Sequence, residues 1–362
     1  MVQVSCICSS RVANATLRVL HWLFLDHSAI IHQIKVINVS HYRKPHHAPP
    51  LLKNQQRKEP LPWCCPRPSD DDPQSADKLQ AILDSPSYVP AIEDVHFLDG
   101  DDARGLRLQM DYLKADRLLR AHGIKHTIVV FGSTRLVEPV AAHKKLEQLR
   151  ASLLKKPEDT EIKRRISIAH RILEKSHFYV VAREFSLLVA KAGNGPRGSD
   201  LVVMTGGGPG IMEAANRGAH DGGVKTVGLN ITLPHEQYPN PYITPELCFQ
   251  FHYFSLRKMH FILRARALVA FPGGYGTLDE LFETLTLIQT RKIKPIPVVL
   301  VGEAFWRKLF NIDFMVEEGV IDEEDRDLFC FAETAEEIWA SLKDWYQRNN
   351  ESFVVSEESG SG

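Results

Sequence analysis

Short apolar runs, separated by long stretches of helical pattern, recur along the chain from residue 126 onward. The runs are HTIVVF (126–131), LVVMT (201–205), KTVGLN (225–230), ALVAF (267–271) and PIPVVLVG (295–302). Continuous Val, Ile and Leu residues are typical of strands that are buried on both faces, as in a parallel sheet. Strands that alternate with helices form βαβ units. We therefore predict an α/β fold: a Rossmann-like, doubly wound and mainly parallel sheet with helices on both faces.

Helical patterns lie before, between and after these strands. DDARGLRLQMDYLKADRLLRAHG (101–123) predicts an amphipathic helix ahead of the first strand, and SADKLQAILDSPSY predicts a shorter one. Long helices are predicted at 160–192 and 276–290, and AETAEEIWASLKDWYQ predicts the last one.

The first 75 residues differ from the rest in composition. Asp26 is the only acidic residue before Glu59, whereas basic residues recur. Such a start can be a transit peptide, but it shows no clear cleavage pattern, and the Pro-rich linker that follows favours an unstructured extension or a wrongly assigned start. The predicted segments are this extension (1–75), an N-terminal helical segment (76–124), a Rossmann-like domain (125–350) and a flexible tail (351–362).

Charge, hydropathy and cysteine content exclude several classes of protein. The formal net charge of −1 gives no field that would attract nucleic acid or an acidic membrane surface. No apolar run reaches the roughly 18–20 residues that a membrane-spanning helix needs. Of the six cysteines, only Cys248 and Cys330 lie in the well-patterned part, and their spacing does not suit a metal. We expect a cytoplasmic protein without a metal site.

Three strand-to-helix turns are rich in glycine and other small residues. They are FGSTR (131–135), TGGGPGIME (205–213) and PGGYGTLDE (272–280). Ligands of doubly wound sheets bind outside the carboxyl ends of the strands, so the three turns should open on the same edge. Glycine lets the backbone approach a ligand, and the following helix offers free N–H groups. We therefore predict an anion site that includes Gly132, Ser133, Gly207 and Gly208.

The residues missing from these turns narrow the choice of anion. PGGYGT lacks the lysine of a P-loop, and neither later turn completes G-x-G-x-x-G. We expect one phosphate, as in a mononucleotide, bound by the third turn. Its binding residues would be Gly273, Gly274, Tyr275, Gly276 and Thr277.

Two acidic residues follow the third turn directly. A helix N-terminus favours negative charge, so we expect Glu280 to be ionised at neutral pH. Beside a phosphate, an ionised carboxylate can accept hydrogen bonds from sugar hydroxyls or stabilise a cation on the sugar ring. Thr277-x-x-Glu280 also matches a capping box, and that alternative stays open. Asp279 is expected to be a solvated charge.

The segment FHYFSLRKMHFILRARALVAF places Arg257 and Lys258 near a helix start. Their charge-assisted hydrogen bonds suit a phosphate or a purine edge. Other polar residues of the segment are expected at the protein surface: His260, Arg264 and Arg266. Three aromatic residues could pack in the core or stack on a base, and core packing is favoured: Phe251, Tyr253 and Phe254.

Taken together, TGGGPGIMEAANRGA, SLRK and PGGYGTLDE resemble the Lonely Guy (LOG) family over roughly residues 125–346. Members of this family are nucleoside 5′-monophosphate phosphoribohydrolases, and many carry an older "lysine decarboxylase-like" label. The resemblance implies catalytic positions for Arg257 and Glu280 and nucleotide-binding positions for Lys258 and the Gly273–Thr277 turn. It also implies a substrate contact at Glu236.

The resemblance implies that the chain hydrolyses a purine nucleoside 5′-monophosphate, either AMP or a cytokinin riboside 5′-monophosphate, to the free base and ribose 5-phosphate. No cofactor is implied, and a homodimer or higher homo-oligomer is. Phe261 stands where the family pattern has Met, which affects the base pocket. The older label has no chemical support, because no lysine has the context of a Schiff-base residue. The alternatives are a carrier of a nucleotide or molybdenum cofactor, or a nucleotide-sensing subunit.

Overall fold

The structure, a computed structural model, describes residues 72–193, 201–234 and 238–353. The chain divides into two compact units, Met1–Asp84 and Ser85–Gly362. Within the first unit, helix α1 (Ser75–Leu83) is described. The predictions for residues 1–71 and for the tail from residue 354 lie outside the described residues.

The second unit is built on a seven-stranded sheet in which every pairing is parallel, with the order β4-β3-β2-β1-β5-β6-β7. The strands are β1 (His126–Phe131), β2 (Leu201–Thr205), β3 (Thr226–Ile231), β4 (Cys248–Phe251), β5 (Ala265–Ala270), β6 (Val298–Val301) and β7 (Cys330–Ala332). The doubly wound fold is thereby confirmed. The strand order reverses beside β1, because β2 pairs on one side of it and β5 on the other. Such a reversal opens a crevice at the carboxyl ends of the strands.

All five predicted strands are present, with bounds shifted by up to three residues. The two edge strands, β4 and β7, were not predicted. β4 has only four residues, and Gln250 within it is exposed, so it lacks the continuous apolar run of the inner strands. Edge strands are often short and polar on one side, which explains the weak signal.

Helices cover both faces of the sheet, and each face has its own buried core. Ile128 and Val130 of β1 pack into one core, while Val129 and Phe131 pack into the other. The helices of this unit are α2 (Val95–Asp99), α3 (Arg104–Ala121), α4 (Pro139–Lys155), α5 (Thr160–Glu174), α6 (His177–Gly193), α7 (Ile211–Asp221), α8 (Phe254–Leu263), α9 (Tyr275–Gln289), α10 (Glu303–Leu309), α11 (Ile312–Glu317) and α12 (Ala335–Arg348). In the described part, no helix is both long enough and apolar enough to cross a membrane.

The connection from β1 to β2 contains a helical hairpin, α4–α5. The predicted helical stretch over 160–192 is present as two helices, because the chain turns between α5 and α6. At that turn Ser176 folds back, and its hydroxyl donates to the Leu173 carbonyl at 2.7 Å. Buried Ala169 of α5 packs against Leu146 and Leu149 of α4. The hairpin therefore has a small core of its own.

Helix α3 holds α8 in place from both ends. Asp111 Oδ2 accepts hydrogen bonds from the backbone N–H groups of His252 (2.8 Å) and Tyr253 (3.0 Å), directly before α8. At the other end, Arg264 donates to Asp116 Oδ1 at 2.6 Å. The prediction that Arg264 is solvated is wrong, because this ion pair buries most of its side chain.

The structure also tests the predictions made for other side chains of the segment around α8. His260 is fully buried and stacks on Tyr112, so its predicted surface position is wrong. Arg266 is also not simply solvated, because its guanidinium lies 4.4 Å from the ring centre of Tyr346. Phe251 is buried in the core, which confirms the favoured alternative for this residue. Core packing is wrong for Phe254, which is 52% exposed.

We expect Asp111→Ala to destabilise the protein by about 1–2 kcal/mol, since two backbone N–H groups ahead of α8 lose their acceptor. Urea unfolding measures this difference. Asp111→Asn keeps an acceptor oxygen and should recover most of the loss. Asp102→Ala, at an exposed carboxylate in the turn before α3, is the control and should change little. Equal stability of Asp111→Ala and the control would contradict the assignment.

Candidate active site

The turns that follow β1, β2 and β5 meet at one edge of the sheet. The Ser133 N–H donates to the Pro272 carbonyl at 3.0 Å, and the Ile211 N–H donates to the Ser133 carbonyl at 3.1 Å. Backbone hydrogen bonds therefore tie the first turn to both of the others. The predicted convergence of the three turns is confirmed.

A cavity of about 770 Å³ opens at this edge, where the strand order reverses. Its volume is within the range of small-molecule sites. Eight of the residues singled out from the sequence lie in its wall: Gly132, Ser133, Arg257, Gly273, Gly274, Tyr275, Gly276 and Thr277.

The other residues singled out lie elsewhere. Gly207 and Gly208 are buried, and their carbonyls accept hydrogen bonds from Asn240; the cavity is lined instead by their neighbour Gly206. Glu236 lies outside the described residues. Lys258 and Glu280 are not in the cavity wall, but both lie on the helices that border it.

Helix α9 begins without a side-chain cap. Gly274 is the residue before the helix, and Thr277 lies inside the first turn, so the capping-box alternative for Thr277 and Glu280 is wrong. In the described part of the chain, the N–H groups of Tyr275 and Gly276 have no acceptor. Free N–H groups at a helix N-terminus bind anions such as phosphate.

Gly273 must be glycine for the turn to close. A Cβ atom at this position would lie 2.1 Å from the Thr277 hydroxyl oxygen, which folds back over the glycine. Around Gly274 and Gly276 there is open space instead. The turn is therefore compact on its inner side and accessible on its outer side.

Glu280 lies one turn into α9 and is only 5% exposed. Burial raises its pKa to about 7, against the opposing attraction of Arg257 and Lys258. The expectation that Glu280 is fully ionised at neutral pH is therefore met only in part, because loss of hydration outweighs the favourable helix N-terminus and brings the pKa close to 7. Near pH 7 the carboxyl group can both hold and release a proton.

Arg257 reaches the cavity wall from α8. Its guanidinium carbon lies 5.6 Å from the ring centre of Phe254 and 5.3 Å from that of Phe261. The Nε atom is buried and has no hydrogen-bond partner among the described residues. Burial lowers the pKa of Arg257, while Glu280 and Asp279 act in the opposite direction. Arg257 is therefore a largely buried cation whose side chain lines the cavity.

Lys258 is occupied by acidic residues. Its Nζ lies 2.9 Å from Asp279 Oδ1 and 2.9 Å from Glu283 Oε2. Burial lowers its pKa, but the bonds to these two carboxylates outweigh burial and raise it overall. Asp279, which was expected to be a solvated charge, is instead half-exposed and ion-paired.

Sequence reasoning missed five polar residues of the cavity wall: Thr134, Arg135, Arg171, Lys175 and Asn230. Arg135 ends the first turn, and its position in FGSTR was a usable signal. Arg171 and Lys175 come from the α4–α5 hairpin and the residue that follows it, and no local pattern connects them to the turns. Among the described residues the cavity wall contains no Asp or Glu.

Comparisons with known proteins place the chain in a family. A family model described as "Possible lysine decarboxylase" matches residues 212–342. Over 168 residues the chain is 33% identical to cytokinin riboside 5′-monophosphate phosphoribohydrolase LOG1 of Arabidopsis thaliana. The aligned region is 45% of this chain and 75% of LOG1. It is also 33% identical over 153 residues to cytokinin riboside 5′-monophosphate phosphoribohydrolase LOG3 of the same plant, and this aligned region is 41% of this chain and 69% of LOG3. The chain belongs to the LOG family, and the resemblance seen in the sequence is confirmed.

Other matches are shorter or more distant. Cytokinin riboside 5′-monophosphate phosphoribohydrolase LOG of Oryza sativa subsp. japonica is 34% identical over 152 residues, or 41% of this chain, and the chain spans 61% of that protein. One solved structure, a structural-genomics target, is 21% identical and covers 60% of this chain and 99% of its own, with a TM-score of 0.37. A similarity with so low a TM-score carries no argument here.

The raised pKa of Glu280 predicts how Glu280→Gln changes stability with pH. The pKa is about 7 in the folded protein against a reference value of 4.5, so wild-type stability falls as pH rises through that interval. At pH 8, Glu280→Gln should be more stable than the wild type by on the order of 2 kcal/mol; at pH 5 the two should be nearly equal. Urea unfolding at both pH values measures the difference. A variant less stable than the wild type at pH 8 would contradict the assigned cost of burial.

Proposed function

We propose that the protein hydrolyses the N-glycosidic bond of purine nucleoside 5′-monophosphates, AMP or a cytokinin riboside 5′-monophosphate, to the free base and ribose 5-phosphate. One observation carries the proposal: an uncapped helix start and an unpaired arginine line a single crevice, and a buried carboxyl group lies on the helix that borders it. The relatives named above are phosphoribohydrolases by name, and this similarity supports the same reaction class.

The substrate phosphate binds at the start of α9. The N–H groups of Tyr275 and Gly276 have no acceptor in the described part, and the space around Gly276 is open. The positive end of the helix dipole adds to the attraction. Binding energy from the phosphate holds the ribose in place, although the phosphate itself does not react.

Glu280 acts on the sugar. In its ionised form it stabilises the positive charge that develops on the ribose ring as the bond to the base breaks. It can also accept a proton from the water that attacks the anomeric carbon, because its pKa is close to neutral. The oxygen–carbon bond forms as the carbon–nitrogen bond breaks, and the base leaves with its bonding electron pair. The proton that Glu280 takes from water is released to solvent, and the base takes up one proton to become neutral.

Arg257 assists the departing base. Its side chain lines the cavity and has no ion-pair partner among the described residues, so the guanidinium can donate to the base without losing an ion pair. A positive charge near the base stabilises the electron pair that the base takes with it. The rings of Phe254 and Phe261 hold the guanidinium in position.

The proposal is tested by incubating the purified protein with AMP and, separately, with adenosine, and by measuring free adenine chromatographically. We expect adenine from AMP, and at least 10²-fold less from adenosine, because adenosine lacks the group that binds α9. Equal release from both would contradict the phosphate anchor. Release from neither, with AMP bound intact, would favour the carrier alternative, provided that a cytokinin riboside 5′-monophosphate also stays intact.

A further inference from the structure

Four cations in the cavity wall have no ion-pair partner in the described part of the chain: Arg135, Arg171, Lys175 and Arg257. Arg257 is assigned above to the departing base. Arg171 and Lys175 come from α5 and its C-cap, in the segment between β1 and β2. We propose that Arg171 and Lys175 form the cationic half of the phosphate site and bind the phosphate monoester that rests on the start of α9. The inference deepens the proposed function and rests on it for the identity of the substrate.

The geometry of α5 supports this assignment of Arg171 and Lys175. Ile168, Arg171, Ile172 and Lys175 are spaced by three or four residues, so they share one face of the helix, and all four line the cavity. The face that carries Ala169 packs on α4 instead. The hairpin thus uses one face for its own core and presents the other to the ligand site.

The position of Lys175 relative to the glycine turn also supports the assignment. The Phe178 N–H donates to the Lys175 carbonyl at 3.1 Å, and the Phe178 ring centre lies 6.4 Å from that of Phe271. A Cβ atom at Gly302 would meet both Phe178 Cζ, at 2.6 Å, and Pro272 Cγ, at 3.4 Å. The chain that follows α5 therefore lies against the residues that enter the turn at Gly273.

The charges of the side chains around the site support the assignment as well. The lysine closest in sequence to the catalytic arginine, Lys258, is held by Asp279 and Glu283, so it is not free to neutralise a phosphate. Because Arg257 is assigned to the departing base, the charge of a phosphate dianion at the start of α9 is left to the other cations of the cavity wall, among them Arg171 and Lys175. No carboxylate of the described cavity wall competes for Arg171 or Lys175.

Ile168 and Ile172 strengthen this arrangement. They lie beside the two cations on the same face of α5 and give that part of the cavity an apolar wall. Charge-assisted hydrogen bonds are stronger where water is partly excluded. The chemistry selected is therefore a phosphate monoester held between a helix N-terminus and two cations.

The test compares the double variant Arg171→Ala/Lys175→Ala with Lys163→Ala/Arg165→Ala. The control pair lies near the start of the same helix, outside the cavity wall, and removes the same charge. Calorimetry with ribose 5-phosphate should show an affinity loss of at least tenfold in the first variant and less than twofold in the control. With AMP, the KM should rise by a similar factor, while kcat changes less than threefold. Adenosine binding should be unaffected in both.

The binding measurement separates this inference from the proposed function. If the wild type binds ribose 5-phosphate through these residues but releases no base from any nucleotide, the proposed reaction fails and the anion site stands. Ribose 5-phosphate affinity within twofold of the control would overturn the inference. So would a lower melting temperature at unchanged affinity, which would mean that the two cations only complement the C-terminal dipole of α5.

Discussion

The burial of one carboxyl group at the start of α9 is the constraint on which the site depends. Glu280 is only 5% exposed, and its charged form is stabilised by Arg257 and Lys258 but opposed by loss of hydration. Removing a carboxylate from water costs several kcal/mol unless opposite charge offsets the loss. The surrounding residues keep the pKa of Glu280 at about 7, so its carboxyl group can release a proton at neutral pH. A site of this kind suits proton transfer more than structural support.

In the proposed reaction, phosphate binding and chemistry are divided between the two ends of one helical turn. The free N–H group of Gly276 lies four residues before Glu280, about 6 Å along the helix axis. A rigid helix therefore sets the distance between the phosphate and the acid. Arg257 reaches the same crevice from α8, whose two ends are fixed by Asp111 and Asp116 of α3. Helix α3 thus helps to position Arg257, although no residue of α3 lines the cavity.

The sequence predicted the parts of the fold and site that depend on local pattern. The inner strands were found because both faces are apolar, and the meeting of the turns followed from parallel topology. The misses depend on residues that are distant in sequence. Arg264 was expected in solvent because its partner, Asp116, lies on another helix. The ionisation of Glu280 was misjudged because burial by tertiary packing outweighs the local helix dipole, and Lys175 was missed because only the folded hairpin brings it to the cavity.

The central claim is that the buried carboxyl group performs chemistry and does not merely stabilise α9. The most direct measurement is steady-state turnover of AMP by Glu280→Gln, beside its affinity for AMP measured by calorimetry. The account predicts a fall in kcat of about 10²–10³, since a neutral amide neither stabilises the sugar cation nor accepts a proton, while affinity stays within a few-fold. Glu283→Gln, one turn further along the same helix, should retain turnover. Wild-type kcat in a folded Glu280→Gln protein would contradict the account.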